Sequence, residues 1–168
     1  MLYLKEANMD DAAEIFAFYS QLPADENGLT NPYAGMSEEA FVRDALPVII
    51  ANAKGERLPE GFVPATEYFL WEDHEIVGLF RLRHHLNDFL RENAGHVGFA
   101  IRRDCRGRAL AQKGLRLLLE RAKEIIPEDE VYMSVNRDNP ASLAVQMKCG
   151  AVVARSDEGK FYTRIRIR

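Results

Sequence analysis

Between Arg102 and Lys123 the chain carries eight Lys or Arg residues against two acids, Asp104 and Glu120. At the centre is RGRALA (106–111), a tight turn of small residues that runs straight into an apolar helical pattern. Such a turn can bind anions. The first N–H groups of a helix have no internal partner, and the helix dipole places partial positive charge there. Gly107, Ala109 and Ala111 keep the surface low enough for a phosphate to approach the backbone, and Arg106 and Arg108 add charge. The turn is neither GxxxxGK[ST] nor GxGxxG, which counts against nucleotide hydrolysis and NAD binding. The competing reading is a helix start that merely has basic flanks.

Other reactive side chains give weaker patterns. His74, His84, His85 and His96 show no metal spacing, so no metal is expected. Cys105 and Cys149 form no CxxC pair and read as free thiols of a reducing compartment, Cys105 at the surface and Cys149 buried in the last helix. Charge is uneven: residues 1–60 hold eleven acids against four basic residues. Either this is ordinary solvated surface, or the halves form a split site, with an anion on the basic half and a cation drawn to the acidic half. A pI near 5.6 and the lack of a long basic-aromatic stretch argue against nucleic acid. No apolar run approaches the roughly 18 residues of a membrane span, and the start turns acidic too soon for a signal peptide. The cytoplasm is the expected location.

The elements that must position these residues follow from periodicity. Leu2–Glu6 alternates as a strand, and Asp10 or Asp11 can cap a helix carrying Ile15, Phe16 and Tyr19. Residues 23–36 and 55–64 read as loops and as the place for substrate specificity. Between them Ser37 opens a second helix with glutamate suited to a capping box. Glu67–Glu72 and Ile76–His84 form a hairpin around Asp73-His74, 85–94 a short helical excursion, and Gly95–Ile101 a further strand. Apolar residues at 111, 115, 118, 119, 122 and 126 make an amphipathic helix. Val131–Val135, a helix opened by Asn139-Pro140 and closed by Gly150, and strands at 152–155 and 161–168 complete the chain. At 168 residues, 47% hydrophobic, this is one mixed-sheet α/β domain.

RGRALA resembles the acyl-CoA pyrophosphate loop of the GNAT superfamily of N-acetyltransferases, [QR]xxGx[GA], with Ala109 where glycine is usual. Alanine suits that position if only a small side chain is needed, and strains it if positive φ is needed. Because helical residues have negative φ, the first reading is preferred. The segment from Asn139 to Ala151 is similar to the family's N-x-[AS]-S…K-x-G segment. Residues 76–102 resemble a bacterial branch of predicted acetyltransferases with RLRH-x-LN followed by GHIGY-x-IRP; Arg83, His84, Leu86, Asn87, Gly95, His96 and Gly98 match, and Arg103 replaces the proline. The resemblance covers about 66–155.

The resemblance implies a single GNAT-type domain over 1–168: a central, mostly antiparallel twisted sheet with two splayed parallel strands and flanking helices. It implies acetyl-CoA as cosubstrate, without metal, held between strands 98–102 and 131–135. Phe99, Ala100 and Ile101 would contact the pantetheine, with an N–H near Phe99 polarising the thioester. Arg106, Gly107, Arg108, Ala109, Leu110 and Ala111 would hold the pyrophosphate, and Asn139 would contact the cofactor or cap its helix. Gln146 occupies the position where many members carry an acid tyrosine, so Tyr132 is the substitute candidate, against a core role. His96 is the candidate proton acceptor, against a structural histidine bonded to backbone. Arg83, His84 and Asn87 are candidates for the acceptor pocket, against capping and sheet-edge roles. The expected function is transfer of acetyl to a primary amine of a small molecule or peptide by direct attack in a ternary complex. The alternatives are another acyl-CoA, or a non-catalytic CoA-binding module. The partners are acetyl-CoA and the amine, with a homodimer left open.

Overall fold

In the computed structural model, which describes all 168 residues, β4 (Ala65–Glu72) and β5 (Glu75–Arg83) bury nearly every side chain along their length. Their almost continuous apolar run follows from a sheet covered on both faces. The sheet is antiparallel throughout, in the order β1 (Leu2–Glu6), β4, β5, β6 (Val97–Ile101). On one face α5 (Leu110–Ile125) packs Leu115, Leu118, Leu119 and Ala122 against Leu70, Phe80 and Leu82. On the other, α1 (Ala12–Gln21) and α3 (Leu46–Ala53) pack Ile15, Phe18, Leu46 and Ile49 against Phe69, Trp71 and Leu79. No helix is long and apolar enough to cross a membrane.

A second antiparallel sheet has the order β7 (Glu130–Asn136), β9 (Lys160–Arg166), β8 (Val152–Ser156). The short helix α4 (Asp88–Glu92) links β5 to β6, and α6 (Pro140–Lys148) links β7 to β8. Thus the expected α/β domain of mostly antiparallel strands is present, divided into two sheets at the splay.

Local differences from the sequence reading have physical causes. The capping box at Ser37 is half built: Ser37 Oγ accepts from the Ala40 N–H, but alanine occupies the position of the reciprocal glutamate. α2 (Glu38–Ala40) runs into α3 through a π-helical turn, Phe41–Ala45, next to Pro47, whose missing N–H removes a helical donor. The loop at 23–36 contains a small hairpin, β2 (Asp25–Glu26) and β3 (Leu29–Thr30). Its signal is the Asn27-Gly28 pair, both at positive φ, as a tight hairpin turn demands.

The two sheets meet at one bridge, Gly95 to Met133, just before β6 begins and midway along β7. Gly95 has φ +68°, and a Cβ there would collide with the Tyr132 carbonyl oxygen. Gly95→Ala combines left-handed strain with a backbone clash, so stability should fall by about 2–5 kcal/mol. The denaturant midpoint checks this; an unchanged midpoint would mean the junction is not held this tightly.

Candidate active site

Beyond that bridge no ladder joins β6 to β7, and a cavity of about 680 Å³ lies between them. Its wall includes Val97–Ile101 of β6 and Ser134–Asn136 of β7, so the strands touch at the start of β6 and the middle of β7 and part toward their C-terminal ends. Arg83 N donates to His96 O and Arg102 N to Val77 O. By antiparallel alternation, Gly98 and Ala100 therefore bond β5, while the backbone groups of Val97, Phe99 and Ile101 face the splay. Phe99 and the Ile101 N–H thus present free strand edge to the cavity, the Ile101 carbonyl being taken by Arg106. Ala100 lines it without a free backbone edge.

One end of the cavity is closed by the turn before α5. Gly107 lies at φ +81° and Ala109 at φ +58°, ψ +21°, where it forms the N-terminal cap of α5. The expectation of negative φ at Ala109 is therefore corrected: the residue that precedes the first helical turn must reverse the chain, and alanine does so at a cost. The two left-handed turns aim the early N–H groups of α5 outward. Arg106, Gly107, Ala109, Leu110 and Ala111 line this end. Arg108 does not; it turns away to make paired bonds to Glu72 at 2.6 and 2.7 Å. Arg106 donates from Nε to Ile101 O at 3.1 Å and pairs with Glu26 at 2.7 Å. The hairpin that carries Glu26 also lines the cavity, and Leu29 approaches Gly98 closely. Cys105, expected at the surface, is buried beside the turn, while Cys149 is only half-buried.

Asn139 lines the cavity while its side chain accepts from Ser142 N, capping α6. Gln146 is also on the wall, buried, with its carbonyl accepting from the Thr163 hydroxyl at 2.6 Å. Arg83 lines the end opposite the turn, together with Arg81.

Besides Arg108, four candidates are not at the cavity. His96 is 0% exposed; its Nδ1 accepts from Tyr132 N at 2.9 Å, and its Nε2 bonds Glu128 at 3.0 Å. With both nitrogens engaged and no wall position, it cannot take a proton from a bound amine: the structural reading replaces the catalytic one. Tyr132 lies under the Arg164 guanidinium and edge-on to His96, off the wall, so it is not the acid candidate. His84 bonds Thr66 Oγ1 at 2.7 Å and lines a separate hollow of about 230 Å³. Asn87 caps α4 by accepting from Leu90 N and donates to Gly61 O. No group of three His, Cys, Asp or Glu converges as metal ligands.

One further cluster was not legible in the sequence. Glu67 and Arg81, opposite each other on β4 and β5, pair at 2.6 Å with little exposure. Glu67 Oε2 and the Tyr19 hydroxyl beside them are buried without hydrogen-bond partners. Burial pushes the Tyr33 phenol up to about 12, and the Glu67 charge adds to that. The β4–β5 register brings Glu67 and Arg81 together, and the packing of α1 and the loop after β3 adds the two tyrosines.

The family follows from this geometry and from comparison with known proteins. Residues 1–152 match the family described as Acetyltransferase (GNAT) domain, so the chain belongs to the GNAT acetyltransferases. No curated protein matches the sequence. Among solved structures, a GNAT-family acetyltransferase from Streptococcus pneumoniae is 17% identical, with all of both chains covered and a TM-score of 0.65. The microcin C7 self-immunity acetyltransferase MccE, solved with acetyl-CoA and AMP, is 13% identical, with 99% of this chain and 92% of that one covered and a TM-score of 0.71. An acetyltransferase from Salmonella typhimurium that modifies the N-terminal serine of a 50S ribosomal subunit protein is 16% identical, with 99% and 95% covered and a TM-score of 0.67. At these identities the likeness is one of fold.

Two measurements test the site's construction. Ala109→Gly removes left-handed strain and should raise stability by about 0.5–1 kcal/mol, after the added flexibility of the unfolded chain is subtracted. A lower denaturant midpoint would contradict the assigned conformation. The second concerns pH. Burial holds His96 below the usual imidazole range, with the Glu128 hydrogen bond only partly offsetting it. The unfolded chain then takes up the proton more readily, so stability is complete above about pH 6.5 and falls as pH drops below it. His96→Gln should flatten the stability curve between pH 7 and 5. Parallel curves for the two proteins would mean the imidazole is not held neutral.

Proposed function

We propose that this protein is an acetyl-CoA-dependent N-acetyltransferase that acetylates a primary amine of a small molecule or peptide by direct attack in a ternary complex. The observation that carries the proposal is the cavity between the parted strands, closed at one end by the left-handed turn at the start of α5. Its family and the acetyl-CoA bound by MccE support the choice of cosubstrate. The pyrophosphate would sit on the outward N–H groups from Ala109 to Ala111, with Arg106 as its cation. The pantetheine would lie along the free edge of β6 as an added strand, with Asn139 across from it. The two unpaired thiols favour action in a reducing cytoplasm.

The amine nitrogen attacks the thioester carbonyl carbon, the C–S bond breaks, the CoA thiolate leaves, and the nitrogen gives its proton to solvent water at the open cavity. An N–H at Phe99 faces the splay and can stabilise the oxyanion. Neither His96 nor Tyr132 serves the proton, and Gln146 is no acid. The protein's contribution on this reading is position and polarisation. The thiolate, a fair leaving group, departs unprotonated.

Gly107→Asp would set a carboxylate against the pyrophosphate and strain a left-handed position, so acetyl-CoA affinity should fall about tenfold or more by calorimetry. Glu26→Gln should move it the other way, because Arg106 then loses its competing carboxylate. Thiol release across an amine panel tests the reaction itself. Unchanged affinity in folded Gly107→Asp protein would remove the loop assignment, and tight acetyl-CoA binding without transfer to any amine would favour a non-catalytic CoA-binding module.

A further inference from the structure

Acetyl transfer leaves the acceptor unspecified, and an acceptor assigned from the cavity wall rests on the acetyl-transfer reading. The wall carries four cations, Arg81, Arg83, Arg106 and Lys160, and one carboxylate, Glu26. Glu26 is committed to Arg106 at the turn before α5. At the opposite end, Arg81 is committed to Glu67. Arg83 has no carboxylate; its side chain donates only to Gly95 O, at 3.2 Å. Burial, with the like charge of Arg81 beside it, lowers its pKa to about 10. This half-buried guanidinium is bonded to no carboxylate, and the Glu67 charge, already paired with Arg81, only partly offsets its burial, so it keeps donors for an anion.

Its placement separates it from the cofactor's phosphates. Arg83 N bonds His96 O, just before β6 begins, whereas Arg106 follows the end of β6. Five strand residues intervene, roughly 16 Å at about 3.3 Å per residue. Arg81 and Arg83 are two apart on β5 and so share a face, the one opposite α5. Across from Arg81 on β6 is Gly98, which puts no side chain between the guanidinium and the cavity.

We propose that the acceptor is a primary amine that also carries an anionic group, a carboxylate or a phosphate, and that Arg83, supported by Arg81, binds that group at the end of the cavity opposite the turn. A planar guanidinium fork matches either anion with two hydrogen bonds. The same charges repel a polyamine, whose extra ammonium groups would meet the cations on the wall. The acidic N-terminal third therefore does not make a cation-binding acceptor site here: Glu26, its one carboxylate on the wall, is already paired with Arg106.

The test uses matched acceptors on the wild-type protein: phenylalanine against phenylalaninamide, phosphoethanolamine against ethanolamine, and spermidine. Thiol release gives kcat/KM for each, and calorimetry gives acetyl-CoA affinity separately. The anionic member of at least one pair should be preferred about tenfold or more, and which pair shows it separates carboxylate from phosphate. Arg83→Gln should collapse that preference with acetyl-CoA affinity held within about twofold, and Arg83→Lys should keep part of it. Equal use of both members of each pair, preference for spermidine, or an unchanged preference in Arg83→Gln would overturn this inference while acetyl transfer stands. If Arg83→Gln does not fold, the wild-type panel and Arg83→Lys decide. Acetyl-CoA binding with no amine turned over would overturn the acceptor assignment together with the transfer reaction.

Discussion

The site depends on a pin where the two sheets meet. His96 N donates to the Tyr132 carbonyl, and the Tyr132 N–H returns a bond not to a backbone oxygen but to His96 Nδ1. An imidazole thus substitutes for one rung of a ladder, and Glu128 fixes the ring from its other nitrogen. Burial alone would push the Glu128 carboxyl up, yet the bonds from His96 and the Leu86 N–H hold it below the usual range. Gly95 lets the two backbones come close enough for this exchange. With the strands tied at one end and free beyond it, their edges open into a cavity rather than closing into one sheet. A side chain of the type a catalytic base would need is therefore part of the junction beyond which the strands part.

The second constraint is charge. The surplus of basic residues around the turn is partly neutralised from distant parts of the chain. Glu26 comes from the N-terminal hairpin to Arg106, and Glu72 from the end of β4 to Arg108. Neither bond involves the first N–H groups of α5, which no side chain caps. The Arg106–Glu26 contact also ties the hairpin to the turn, so the segment over the cavity and the segment at its end are mechanically joined. An anion arriving at the turn competes with that tie.

Much of the fold can be read along the chain because its elements are strongly periodic. The stripe of α5 and the hairpin of β4 and β5 fall within a residue or two of where periodicity puts them, since burying one helix face or both sheet faces leaves a clear pattern. The β2–β3 hairpin escapes such a reading because two-residue strands have no period, although Asn27-Gly28 marks its turn. The basic turn is visible as composition, but its backbone is not. Ala109 lies just outside the helix, where the chain reverses, and residue type alone does not tell a helical position from the cap before it.

What the sequence determined by itself was the local inventory: a basic turn before an amphipathic helix, strands on either side of it, a capped last helix, and family resemblance in ordered segments. Tertiary structure alone decided which side chains face the cavity. His96, Tyr132, His84 and Asn87 had the right types at plausible positions, but their ring and amide groups are taken up by backbone, by each other and by Thr66. Conversely, Glu26 carries no motif, and the motifs around Arg81 and Gln146 do not say where those side chains point; the three reach the cavity through a hairpin, a strand register and a helix face. The physical reason is that a side chain's direction depends on pairing register and sheet curvature, which arise from contacts distant in sequence, whereas helix starts and strand periods arise from neighbours along the chain.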